Sequence, residues 1–323
     1  MIMNPYWGKD FFEFFSLLFL RLVRAMKGDL AFCDLASDEV QLLVLAGVGI
    51  STSLIGNLLI LKRMTMLANA LSHTILLGLV SAYLFLFPLM GASEEGIGMD
   101  LNLLMAAAFF TSLFTVLSTE FLKRVAKVQE DASIGLVFTT LFALGITAVT
   151  LFARNLHLEA DAVMGNVDAL HLHDLKLVGF VALLNAVVML LFFKEWKITA
   201  FDSRLAASLG FCPLLFDLLL LFQTALTLVG AFRAVGVFLV LALLVFPPLA
   251  ARRLTHNLGR LFFLSPLLGA AASVLAVALS RHLLSVYHLA LSTAGLLVFI
   301  LGCLYLLLLL PSLTFRKKKG IIL

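Results

Sequence analysis

Nine times between residues 40 and 310 the chain runs apolar, with hardly a charge, for the roughly 20 residues that a helix needs to cross a bilayer. The runs fall at about 40–61, 71–90, 102–122, 134–153, 175–193, 213–231, 234–251, 261–281 and 288–310. They lack the apolar–polar alternation of barrel strands, so they read as helices. Only 13% of the 323 residues are charged and 62% are hydrophobic. A soluble domain carries about a quarter charged residues; this chain could not cover itself with polar groups in water. The expected fold is an all-α, polytopic transmembrane helical bundle of about eight spans. Almost nothing separates 213–231 from 234–251, so one of that pair reads as broken or tilted.

Basic residues sit at alternate run ends: Lys62 and Arg63; Lys123, Arg124 and Lys127; Lys194, Lys197 and Arg204; Arg252, Arg253 and Arg260; Arg316 to Lys319. The positive-inside rule places those ends in the cytoplasm. The opposite ends carry SEEGIGMD (93–100) and RNLHLEADAVMGNVDALHLHD (154–174), acidic and histidine-bearing, which therefore face outward. The net charge of +4 thus reports orientation in a lipid bilayer and not a nucleic-acid surface. Residues 9–27, KDFFEFFSLLFLRLVRAMK, read as an N-terminal interfacial helix with aromatic anchors, the rival being an extra membrane helix. No basic region followed by a small-residue cleavage site marks a signal peptide there. Cys33, Cys212 and Cys303 have no ligand spacing and read as small apolar residues. The expected organisation is 1–39 as an N-terminal helix and outer segment, 40–311 as the membrane domain with a cytoplasmic loop at 194–213, and 312–323 as a basic cytoplasmic tail.

Four polar stretches carry the candidate chemistry. Asn69 and His73, spaced i and i+4, share a helix face at the mouth of an apolar segment. Ionisable groups within spans are costly and mark either a pathway or a satisfied network. Imidazole suits Zn, Mn or Fe; a histidine bonded to a neighbouring helix is the competing reading. In the loop, Phe201, Leu205 and Leu209 recur at helical spacing, with Ala206 between them, Asp202 as N-cap and Gly210 as C-cap. Such a stripe fits a groove on a partner or lies on the lipid surface. Pro247 and Pro248 remove helix hydrogen bonds near the inner end of a span, as a helix break or simply its end. The outer loop gathers His157, Glu159, Asp161, Asp168, His171, His173 and Asp174, which suit docking of another protein, with metal capture as the rival. His282 and His288 fall at outer ends and His256 at an inner one. There is no G-x-x-x-x-G-K-[ST], H-E-x-x-H or G-x-S-x-G, so neither ATP binding in a P-loop nor a catalytic set is legible.

These residues resemble a family: the permease subunit of bacterial zinc, manganese and iron ABC importers, of the Znu, Mnt, Psa and Tro type. LKRMTMLANALSHTILLG (61–78) is similar to its basic pair, serine-histidine and glycine pattern. EDASIGLVFTTLFALGI (130–146), VMGN (163–166), FDSRLAASLG (201–210) and AVGVFLVLALLVFPPLAARRL (234–254) resemble further family elements in the same order. The resemblance extends to the Tro and chlamydial Ytg type, in which two unlike permeases pair. It implies a non-enzymatic transport subunit of the bacterial inner membrane that imports a divalent metal ion. An extracytoplasmic binding protein would deliver the ion to the outer loops. Separate ATPase subunits would engage the coupling segment 199–212. No cofactor would be permanently bound, and ATP would sit only on the partner. His73 would be a pathway residue, with Asn69 as its neutral neighbour. The family commonly has Asp at position 69 and Ala at 248, so this chain departs twice. The missing carboxylate suggests a second, different permease that retains it. The alternative class is an ATP-independent secondary carrier or channel, which needs ionisable groups at mid-membrane that are scarce here.

Overall fold

The computed structural model describes residues 5–6, 8, 10–27, 35–82, 84, 101–152 and 167–319. Among them there are helices and no strands. The helices are α1 (Phe11–Met26), α2 (Ser37–Leu61), α3 (Thr65–Ser81), α4 (Leu101–Arg124), α5 (Glu130–Phe152), α6 (Leu172–Leu191), α7 (Phe193–Phe201), α8 (Ser203–Ser208), α9 (Pro213–Val235), α10 (Val237–Leu254), α11 (Leu258–Tyr287) and α12 (Thr293–Lys319). Eight of them, α2, α4, α5, α6 and α9 to α12, are long and apolar enough to cross a membrane. α3 is apolar but has 17 residues, and little beyond its C-terminus is described. In hydrocarbon every backbone N–H and C=O must be satisfied within the protein, and a helix does this within one segment. Large apolar side chains such as Phe110, Leu190, Phe263 and Phe299 are exposed on these helices. Such a surface suits lipid and not water.

The two runs at 213–231 and 234–251 are separate helices, neither of them interrupted. One residue, Gly236, divides α9 from α10; its φ of 79° lies where side-chain-bearing residues rarely go.

The chain forms two compact units. Unit 1 holds residues 1–57, 166–187 and 234–323. In it α10, α11 and α12 pack on one another and α1 packs on α11. Leu239, Val240 and Leu243 of α10, Ala272 and Ala276 of α11 and Leu301 of α12 are buried there, as are Val44, Leu45 and Val48 of α2. At the end of unit 1 where α2 begins, polar groups are tightly paired. Arg21 of α1 grips the Glu39 carboxylate with Nε at 2.5 Å and Nη2 at 3.1 Å. Tyr6 Oη donates to the same group at 2.8 Å, and Ala36 N at 2.9 Å. Burial first, and then this carboxylate, raise the Tyr6 phenol above its ordinary pKa. Arg281, near the end of α11, pairs with Asp38. α1 has 16 residues, fewer than the roughly 20 of a span, and is held at the first turn of α2.

Unit 2 holds residues 58–165 and 188–233. There α3 packs against both α4 and α5, and α7 packs with α8. Lys123 Nζ lies 3.0 Å from Glu130, tying the end of α4 to the start of α5.

Candidate functional site

α2 ends in a Schellman turn: Met64 N donates to Leu59 O at 2.8 Å and Arg63 N to Ile60 O at 3.3 Å, with Arg63 at φ 62°. Lys62, in that turn, pairs with Asp217 of α9; their side chains are 9% and 21% exposed. Desolvating either charge alone would be expensive, so each stabilises the other's place. Sequence reasoning passed over Asp217. Its signal was a lone carboxylate in the apolar run PLLFDLLLLF.

α3 starts from this anchored turn. Leu67, Ala68, Ala70, Leu71 and Ile75 are buried, and Thr115 of α4 donates to Thr74 Oγ1 at 3.0 Å. Asn69 is exposed and His73 half-buried. With the exposed Met66 they follow i, i+3, i+7, one stripe of the helix that unit 2 covers only in part. The imidazole lies against Phe142 and Phe138 of α5, ring centroids 5.3 and 5.6 Å away. Among the described residues no three His, Cys, Asp or Glu side chains converge to hold a metal. One imidazole and one amide oxygen can touch a passing cation without enclosing it.

At the loop between α6 and α9, Asp202 Oδ1 accepts from Arg204 N at 2.9 Å and Leu205 N at 3.0 Å and so caps α8. The helix closes at Gly210, φ 85°, with Phe211 N donating to Ala206 O at 3.0 Å. Phe201, Leu205 and Leu209 are 68%, 52% and 57% exposed, whereas Ala206 is fully buried. The first three form an apolar surface, and Ala206 faces inward.

α10 continues as helix through Pro247 and Pro248 to Leu254, so the expected break is not a break in the helix. The prolines cannot donate to Leu243 O and Leu244 O. Ser53 Oγ of α2 lies 3.4 Å from Leu243 O. A Cβ on Gly56 would sit 2.0 Å from Leu244 O, so only glycine lets α2 approach that carbonyl. The Ser53 hydroxyl on Leu243 O and the close approach of Gly56 to Leu244 O make the two carbonyls tolerable in hydrocarbon.

Of the outer-loop residues, His157, Glu159 and Asp161 lie outside the described residues, as does 163–166. Asp168 accepts from Gln41 at 2.8 Å and from Thr293 at 2.6 Å. Asp174 is buried and accepts from His171 N at 2.9 Å, capping α6. His171 and His173 are exposed.

A family model described as the ABC 3 transport family matches residues 39–312. The chain is 39% identical over 303 residues to a probable metal transport system membrane protein of Chlamydia muridarum, covering 94% of this chain and 93% of that one. It is 37% identical to the manganese transport system membrane protein MntD of Bacillus subtilis, covering 71% of this chain and 78% of that one. Its fold is similar to a chain of PsaBC from Streptococcus pneumoniae in complex with Fab, with TM-score 0.66, 24% identity, and 83% and 89% of the two chains covered.

Proposed function

This chain belongs to the ABC 3 transport family, as a multi-pass permease of the metal-transport type, and from that premise we propose that it imports divalent transition-metal ions across a bacterial inner membrane. An extracytoplasmic protein delivers the ion to the outer loop, where His171 and His173 are exposed and Asp168 is fixed. The ion passes the open stripe of α3, with His73 as ligand and Asn69 beside it. Separate ATPase subunits bind the surface of Phe201, Leu205 and Leu209 and move α8 with nucleotide hydrolysis. Residues 40–311 are the permease domain, 1–39 an accessory segment with α1 in the membrane interface, and 312–323 a basic tail. A second permease, which retains a carboxylate at the position of Asn69, completes the pathway.

The observation that carries this reading is the polar pair Asn69 and His73, exposed and half-buried, on a helix whose Leu67, Ala68, Ala70, Leu71 and Ile75 are buried. A pathway must hold a dication loosely enough to release it, and this pair is an incomplete ligand set. Imidazole does not separate Zn from Mn or Fe. The test is element-by-element metal accumulation in cells expressing the chain with its partner subunits, beside co-purification of an ATP-binding subunit. Leu205→Asp should abolish both. Uptake that persists with no ATP-binding subunit attached would favour a carrier or channel.

A further inference from the structure

At the junction of α10 and α11 lies a groove of about 510 Å³ lined by Leu254, Thr255, Gly259, Arg260, Phe263 and Leu264. Its walls are mostly apolar, and Phe263 is 75% exposed. Arg260 stands in it, and the last turn of α10 adds Arg252 and Arg253. Residues 234–323 contain eight Lys or Arg and no Asp or Glu. Arg281, on the same helix as Arg260, is paired with Asp38. The two arginines are 21 residues apart, about 31 Å along the axis at 1.5 Å per residue. Arg260, Arg252 and Arg253 have no such acid: among the described residues none of them joins an ion pair.

We propose that this groove binds an anionic phospholipid, its phosphate on Arg260 and its acyl chain along Leu254, Phe263 and Leu264. Three features favour a lipid over a soluble anion or a protein helix. The groove lies at the ends of two membrane spans, its walls are apolar, and its only charges are cationic. Basic pockets between spans suit anionic head groups for the same reason. The proposal rests on the chain spanning the bilayer and is independent of its cargo and its direction of transport.

The test is native mass spectrometry of the purified full chain titrated with phosphatidylglycerol, phosphatidylcholine or inorganic phosphate. Wild type should retain phosphatidylglycerol over phosphatidylcholine, and phosphate should not displace it. Arg260→Gln should weaken retention about fivefold, the worth of one surface charge against anionic lipid. Gly259→Trp keeps every charge and places a large ring among the lining residues of the groove, and a Cβ at Gly259 meets nothing closer than Asn257 Oδ1 at 3.5 Å. It should reduce phosphatidylglycerol retention to the phosphatidylcholine level. Undiminished retention in Gly259→Trp would overturn the proposal, because surface charge alone would then suffice. So would displacement by phosphate.

Discussion

α2 and α3 follow one another and carry similar polar side chains, but they use them differently. α2 buries Ser51, Thr52, Ser53 and Asn57. Asn185 donates to Ser51 and Asn57 to Ser265, both at 2.5 Å. These contacts join helices in a medium where polar pairing and close packing replace the hydrophobic drive. α3 buries Ser72 and Thr74 but leaves Asn69 exposed and His73 half-covered. Polarity in a span therefore does not mark a pathway by itself; the direction in which it faces does.

The contrast can be broken most sharply at Gly56. Gly56→Ala drives a Cβ into the Leu244 carbonyl and should cost about 3 kcal/mol or more, read as lost thermal stability of the purified chain. On α3, His73→Ala should leave stability nearly unchanged while metal uptake falls by about tenfold or more. Undiminished uptake would remove His73 from the pathway. Asn185→Ala should do the reverse, lowering stability by about 1 kcal/mol with uptake per folded molecule retained. The smallest effect is expected for Asn69→Asp, within about twofold of wild type in uptake, as for an exposed position with no buried partner. Complete loss of transport there would count against pairing with a permease that supplies the carboxylate.

Eight of the nine apolar runs were legible as spans because hydropathy summed over a whole helix outweighs any single residue. Local chemistry was legible too: Asp202 and Gly210 announce the two ends of α8 within a few residues of each other. Long-range pairing was not. Nothing near Asp217 in the sequence points to Lys62, 155 positions away. Asp174, grouped with the docking residues of the outer loop, is a buried helix cap, a role set by three-dimensional burial. The prolines of α10 suggested a break because the compensating groups, Ser53 and Gly56, belong to a much earlier helix, Ser53 lying 190 positions from Leu243.

That compensation ties two distant parts of the chain into one joint. A helical rod missing two adjacent rungs bends there more readily than elsewhere. Because α2 lies against that level of α10, any flexing of the rod must carry the C-terminal half of α2 with it.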